Sequence, residues 1–225
     1  VTGTNTITNS GTISAVTSNA IKIKKATGTT ITNTGTISVG TDASDGAIAI
    51  DADNAFSPTI TNSGTISATH LNGFGILLSQ SDGSNLGSGA TITNTGTIEL
   101  SGDNSDGITL GDNTGVYNDA TITNSGTISS GDNSIWIDGS GTTGTNIITK
   151  GEATYTGEIE MESAAATMTL DCSITKDMDI EIHGKTNMTV TSNLCGNDTY
   201  EILDSSKNAD ADNSETDGYL RILGE

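Results

Sequence analysis

The sequence predicts an all-β fold, a parallel β-helix whose coils form a three-sided solenoid. A nine-residue phrase, TITNSGTIS at residues 6–14, returns in close copies that begin at Thr30, Thr59, Thr91 and Thr121. A phrase repeated at this spacing indicates stacked supersecondary units with loops of varying length between them. Aromatic residues make up only 3% of the chain, which suits a narrow interior filled by isoleucine better than an ordinary globular core.

Each copy of the phrase predicts two short strands joined by a tight turn. In the first copy, Ile7 points to one side of a strand and its two threonine neighbours point to the other. Ser10-Gly11 is predicted as the turn, because glycine accepts positive φ without strain. Residues 12–14, again an isoleucine between two hydroxyl side chains, form the second strand, and β-branched residues suit both strands.

A third apolar run completes each unit, and a polar loop then leads to the next copy. The runs are AIKI at 20–23, AIAI at 47–50, GILL at 75–78, GITL at 107–110 and SIWI at 134–137. Three strands per unit predict three-sided coils, in which each residue lies over its counterpart in the coil below. We therefore expect an interior isoleucine ladder and, at one corner, an asparagine ladder linked by side-chain hydrogen bonds. Their members are Ile7, Ile31, Ile60, Ile92 and Ile122, and Asn9, Asn33, Asn62, Asn94 and Asn124.

Beyond residue 137 the phrase disappears, but apolar residues still recur. Residues 1–225 are predicted to form a single β-helix, with regular coils over 1–137 and shorter, degenerate coils and an acidic C-terminal tail over 138–225. Matching the apolar positions pairs Ile159 with Ile180 and Met168 with Met188, at repeats of 21 and 20 residues. The segment YLRIL at 219–223 is predicted as one last strand.

Charge narrows the choice of partners. Eight basic and 28 acidic side chains give a net charge of −20, which repels nucleic acid phosphates and anionic membrane surfaces. No apolar run reaches the roughly 18 residues needed to span a bilayer. We expect no nucleic acid partner and no membrane insertion by this segment, whereas cations and basic partners are favoured.

Two loop edges carry most of the sequence variation, and insertions on one edge of a solenoid often mark its binding face. After the third strand the chain reads DADNAFSP at 51–58, SQSDGSNLGSGA at 79–90 and GDNTGVYNDA at 111–120. We predict that these loops meet the ligand or partner. The candidate binding residues are Asp51, Asp53, Asn54, Phe56, Ser81, Asp82, Asn85, Asp112, Asn113 and Tyr117.

Catalytic motifs are missing from the sequence, so we expect no enzymatic activity. His70 and His183 are far apart, and no GxSxG, HExxH or P-loop pattern occurs. No cofactor is expected. A calcium site stays an open alternative, because calcium prefers carboxylate and carbonyl oxygens as ligands and the acidic loops contain both. The candidate calcium ligands are Asp51, Asp53, Asp103 and Asp106.

The two cysteines, Cys172 and Cys195, are 23 residues apart, which is close to one coil. The matched apolar positions place them in registers that differ by three residues, and a disulfide needs Cα atoms within about 4.4–6.8 Å of each other. The sequence leaves two alternatives open, a bridge between neighbouring coils or two buried thiols.

Threonine pairs flank the first-strand isoleucines and would form a flat array of hydroxyl and methyl groups. The spacing is about 6.7 Å within a strand and about 4.8 Å between coils. This T-x-T array resembles the ice-binding faces of some β-helical antifreeze proteins, although threonine is also a common exposed residue of strands. The pairs are Thr6/Thr8, Thr30/Thr32, Thr59/Thr61, Thr91/Thr93 and Thr121/Thr123.

The phrase ITNSGTI, repeated between loops rich in Asp, Gly and Ser, resembles passenger domains of bacterial autotransporters and related large surface exoproteins. The stretch TMTLDCSITKDMDIEIHG at 167–184 is similar to the coils nearer the outer-membrane barrel in such passengers. The resemblance implies a right-handed β-helix, an extracellular or cell-surface location, and a role as adhesin, stalk or self-association module. Partners would be a second copy, or a protein or glycan of a host or neighbouring cell. Phage tailspikes contain a similar β-helix, so polysaccharide binding or cleavage is an alternative.

Overall fold

The computed structural model consists almost entirely of β-strands. It describes residues 5–16, 18–40, 46–80, 87–111, 115, 117–138, 142–161, 164–204 and 218–223. One 3₁₀ turn covers Lys185–Asn187. In chain order the strands are β1 Thr6–Asn9, β2 Thr12–Ala15, β3 Ile21–Lys24, β4 Thr30–Asn33, β5 Thr36–Val39, β6 Ile48–Asp53, β7 Thr59–Asn62, β8 Thr65–Ala68, β9 Phe74–Ser79, β10 Thr91–Asn94, β11 Thr97–Leu100, β12 Asp106–Leu110, β13 Thr121–Asn124, β14 Thr127–Ile137, β15 Thr145–Thr149, β16 Thr154–Met161, β17 Ala166–Leu170, β18 Met178–His183, β19 Met188–Ser192, β20 Thr199–Asp204 and β21 Gly218–Leu223.

Strands in equivalent positions of successive repeats pair with one another. The first strands form an eight-stranded parallel sheet in the order β1-β4-β7-β10-β13-β15-β17-β19. The second and third strands form a 13-stranded sheet, which is continuous because β14 pairs with β11 near its start and with β12 near its end. The prediction of an all-β stack of mostly parallel strands is confirmed.

Like residues lie over like residues along the stack. Ile7 pairs with Ile31, and the same column continues through Ile60, Ile92 and Ile122. From the second repeat onward these isoleucines are buried, because they alternate with outward threonines and point into the interior. Ile7 is only partly buried, since it lies in the first described coil. This column is the interior isoleucine ladder.

From the second copy of the phrase onward, its glycine is needed for close packing and not for an unusual backbone conformation. Contrary to the prediction, φ is not positive at any of these five glycines. A Cβ at Gly64 would overlap the carbonyl oxygen of Gly35, its counterpart one coil below. Gly11 has no such neighbour within 4 Å, because it lies in the first described coil. The glycines in close contact with the coil below are Gly35, Gly64, Gly96 and Gly126.

The chain that follows each third strand is part of the stacked wall. Parallel bridges join Thr27 to Phe56, Phe56 to Ser88, and Ser88 to Asn118. Backbone hydrogen bonds support these bridges, for example from Ser57 N to Ser88 O at 2.8 Å. The sequence predicts a polar loop here, but the structure has a fourth stacked segment, because backbone groups in a closely packed coil need partners.

The C-terminal coils are longer than the sequence predicts. Ile159 pairs with Ile182 and not with Ile180. Met168 pairs with Val190 and not with Met188. Both predicted matches were wrong by two residues, a shift that leaves every side chain on the same side because the strand period is 2. The alternation of apolar residues therefore fits either register, and the longer one is selected by packing.

The stack ends in an antiparallel pair of strands. β21 pairs antiparallel with both β18 and β20, whereas the other pairs of described strands are parallel. Leu220 and Ile222 of β21 are buried and extend the core beyond β18. Tyr200 and Ile202 of the outer strand β20 are exposed. A strand over 219–223 was predicted, but its reversed direction was not.

Candidate functional surfaces

Two predicted binding residues, Asp51 and Asp53, form ion pairs between neighbouring coils. Lys22 Nζ lies 2.5 Å from Asp51 Oδ2, and Lys24 Nζ lies 3.2 Å from Asp53 Oδ2. Asn19 also donates a hydrogen bond of 2.6 Å to Asp51. Burial raises the pKa of Asp51 more than its hydrogen bond and ion pair with Lys22 lower it. Both carboxylates are therefore engaged by side chains of the preceding coil.

Three further predicted binding residues belong to the fourth stacked segment. Asn54 is buried at a φ of 53°, and Phe56 is half-buried. Tyr117 is fully buried, and its hydroxyl donates a hydrogen bond of 2.8 Å to the carbonyl oxygen of Ala55. Burial also raises the pKa of Tyr117. Tyr117 thus lies in the interior and not at the predicted loop edge. Ser81, Asp82, Asn85, Asp112 and Asn113 lie outside the described residues.

The candidate calcium ligands do not converge. Asp106 aligns with Phe74 and, one coil further, with Ile48. It is therefore two coil spacings, about 9.6 Å, from the coil that holds Asp51. Asp103 is exposed in the turn before β12. Among the residues that the structure describes, no group of three or more His, Cys, Asp and Glu side chains is arranged to hold a metal ion.

A buried polar cluster joins three coils at the corner before the third strand. Asn133 donates through its backbone N to Asp106 Oδ1 at 3.2 Å, and through Nδ2 to Glu160 Oε2 at 2.8 Å. Burial raises the pKa of Asp106 to about 7, and the charges of Asp132 and Glu160 act in the same direction. No sequence pattern marks this cluster, because only the register of the coils brings its members together.

Cys172 and Cys195 form a disulfide, with their Cα atoms 4.8 Å apart. The bridge is geometrically accessible because the repeat in this region is close to 23 residues, as the pairing of Ile159 with Ile182 shows. In the strands directly before the cysteines Leu170 pairs with Ser192, 22 residues later. The two cysteines therefore lie within one residue of the same register in neighbouring coils, and the three-residue offset expected from the shorter repeat shrinks to one.

The outward side of the eight-stranded sheet carries two columns of aligned residues, which we call the threonine face. Each column has eight positions, and fourteen of the sixteen residues are threonine. Sequence analysis found the five pairs of the regular repeats but missed the last four threonines, which a T-x-T pattern in 167–169 and 189–191 marks. The columns are Thr6, Thr30, Thr59, Thr91, Thr121, Asn146, Thr167 and Thr189, and Thr8, Thr32, Thr61, Thr93, Thr123, Ile148, Thr169 and Thr191.

A hollow of about 400 Å³ lies at the N-terminal end of the described stack. Ile7, Ile23 and Ala26 contribute its apolar lining, and Lys22 and Lys24 also line it. Both lysine side chains are about half exposed despite their ion pairs. This end of the molecule therefore combines apolar surface with two half-exposed lysines that are paired with carboxylates.

The parallel stack and these surfaces define a repeat protein whose architecture fits the β-solenoid class. No protein-family model, curated protein or solved structure matches the chain. Within the described residues, no helix has the length and apolar character that a membrane crossing requires.

Proposed function

We propose that this chain is a non-enzymatic β-solenoid on the outside of a bacterium, with right-handed, three-sided coils. It acts as a rod-like passenger or stalk that associates with copies of itself, or with a protein or glycan of a host or neighbouring cell. The observation that carries the proposal is the asparagine ladder, because it ties the repeats into one stiff column.

The asparagine ladder consists of hydrogen bonds between equivalent side chains. The first runs from Asn9 Nδ2 to Asn33 Oδ1 at 2.8 Å, and three more continue it to Asn124 at 2.8–2.9 Å. Each donor also reaches a backbone carbonyl of the next coil, as Asn62 Nδ2 reaches Thr97 O at 3.1 Å. Such a buried chain of hydrogen bonds is strong and costly to interrupt. A fixed register along the axis is the mechanical property that a stalk needs.

Self-association is proposed through the N-terminal end of the described stack. Among the described strands, β1, β2 and β3 are each paired along one edge only. An unpaired strand edge is a template for another chain. Lys22 and Lys24 beside this edge are each paired with a carboxylate of their own chain, so the unpaired strand edges and the apolar lining of the hollow, and not charge, would hold a second copy.

Sedimentation velocity of the full chain over a range of concentrations tests this proposal, together with settling of bacteria that display it. Ile7→Lys should weaken both, because it places a charge in the apolar hollow. Val16→Lys is the control, since Val16 is already 59% exposed and does not line the hollow. A parent chain that stays monomeric, leaves displaying cells dispersed and captures no cell-surface protein or glycan would refute the proposal.

Polysaccharide binding or cleavage is the second candidate, and the raised pKa of Asp106 beside Glu160 is the observation in its favour. Glycoside hydrolysis uses one protonated and one ionised carboxyl group. However, Asp106 is only 4% exposed and accepts a hydrogen bond from Asn133, which suits a structural role better. Turnover on a polysaccharide panel that is lost in Asp106→Asn would favour this candidate over the first.

A further inference from the structure

The threonine face differs from the rest of the molecule in having no charge. None of its sixteen positions holds an ionisable side chain, although the chain carries a net charge of −20. The neighbouring outward column of second strands contains Glu99, and that of third strands contains Lys22, Asp51 and Glu160. An uncharged surface of this extent on so acidic a chain favours an uncharged ligand.

Side-chain chemistry argues against a protein or a sugar as that ligand. Protein interfaces are enriched in aromatic residues, Met and Arg, and the threonine face has none of these. It also lacks an aromatic ring on which a sugar could pack. What the face offers is hydroxyl groups, each able to donate one hydrogen bond and to accept two, with methyl groups between them.

These hydroxyl groups are ordered and available. Threonine is stiff at χ1 because it is branched at Cβ, so identical side chains in register repeat their orientation from coil to coil. All fourteen threonines are at least partly exposed. Among the residues described, Thr169 is the one threonine of the face that donates to another side chain, at 3.0 Å to Asn146 Oδ1.

We infer that the threonine face binds ice, which is an uncharged lattice of water molecules at fixed positions. The hydroxyl groups repeat at about 6.7 Å along the strands and about 4.8 Å across them. They therefore form a regular two-dimensional grid. Water molecules at the fixed positions of a lattice can match this grid, whereas the molecules of liquid water cannot. Binding depends on many equal contacts over an extended area and does not need a pocket. The inference is independent of self-association through the N-terminal end.

Two measurements on the full chain test this inference: thermal hysteresis of a single ice crystal, and the fraction of protein taken up by slowly growing ice. The parent should show both effects. Thr61→Tyr should lose most of each, because the ring projects from the middle of the grid. Thr65→Tyr is the matched control, since Thr65 is an outward threonine of the same repeat but lies on the adjoining sheet.

A second pair of variants makes the same comparison one coil further along, in case a tyrosine variant fails to fold. Thr93→Lys in β10 alters the threonine face, and Thr97→Lys in β11 is its control. Circular dichroism checks folding, and Ile7→Lys should keep its ice uptake even if its self-association is lost. The inference is overturned if the parent has neither hysteresis nor ice uptake, or if each control loses as much as its partner. Loss of dimers or of polysaccharide binding in Thr61→Tyr, with no ice effect in the parent, would assign the face to those partners instead.

Discussion

The hydroxyl of Tyr117 donates a hydrogen bond of 2.8 Å to the carbonyl oxygen of Ala55, 62 residues earlier in the chain. The ring crosses the coil of Gly87, where a Cβ would lie only 2.7 Å from Tyr117 Cε2. Tyr117 therefore fills the space that Gly87 leaves empty and reaches the coil beyond it. One large side chain thus connects three coils of a column that is otherwise filled mainly by isoleucine and alanine.

The contact between Tyr117 and Gly87 predicts strong coupling between substitutions at the two positions. Gly87→Ala should destabilise the parent, because the new methyl group overlaps the ring, but should cost little in a Tyr117→Ala background. We expect a coupling free energy of about 1–3 kcal/mol from a double-mutant cycle measured by urea unfolding. Additive effects of the two substitutions would mean that the ring does not occupy this space.

The asparagine ladder predicts that its middle members matter more than its first. Asn62→Ala should lower the free energy of unfolding by about 2–4 kcal/mol, because Asn33 Nδ2 and Asn94 Oδ1 each lose a buried hydrogen bond. Asn9→Ala should cost less, since Asn9 is bonded to one ladder neighbour, Asn33, whereas Asn62 is bonded to two. Denaturant titration measures both. Equal losses would contradict a cooperative ladder.

The phrase glycines predict a contrast between two chemically identical substitutions. Gly64→Ala should destabilise the chain by at least about 2 kcal/mol, because the new Cβ overlaps the Gly35 carbonyl. Gly11→Ala should change stability by less than about 0.5 kcal/mol, because nothing lies within 4 Å of its Cβ position. Thermal melting compares the two variants. A large loss at Gly11 would point to backbone conformation instead of close packing.

The buried carboxyl of Asp106 predicts that stability falls as the pH rises. Its pKa is raised from about 3.8 to about 7 in the folded chain, so the folded state holds an extra proton between these values. This contribution is fully present below about pH 4 and is lost as the pH rises through 7, at about 1.4 kcal/mol per pH unit.

The variant Asp106→Asn isolates this effect from the general relief of charge repulsion at low pH. Melting temperatures of parent and variant should be measured from pH 4 to pH 8. The variant should show a shallower decline, because the amide stays neutral throughout. Parallel curves for the two proteins would show that Asp106 does not titrate in this range.

The disulfide predicts local stabilisation of the C-terminal coils. Replacing both Cys172 and Cys195 by alanine should cost about 2–4 kcal/mol, the usual range for a bridge of this kind. Because neighbouring repeats support one another, the loss should appear first in the last coils. Circular dichroism should then change at a lower temperature than the fluorescence of Trp136, the single tryptophan. Reduction of the parent should reproduce this behaviour, and coincident transitions would contradict it.

Repetition explains why so much of the fold could be predicted. In a strand of sequence Thr-Ile-Thr-Asn, successive side chains point to opposite faces of the sheet in any surroundings. Identical copies of this strand stack most favourably in one register. In the degenerate coils this constraint weakens. Ile159 faces inward whether it lies over Ile180 or Ile182, and the choice between them depends on the whole coil. The same uncertainty in repeat length placed Cys172 and Cys195 three residues out of register. Their bridge could therefore not be decided from spacing alone.

The sequence by itself determined the strands, their inward and outward sides, and the ladders of the regular repeats, because alternation and repetition are local properties of the chain. Only the tertiary structure decided that Tyr117 lies inside, that the phrase glycines are needed for close packing, and that Asp106 is buried beside Asn133. Each of these depends on distances between residues of different coils. Such distances are set by the packing of the complete stack, and no stretch of sequence contains them.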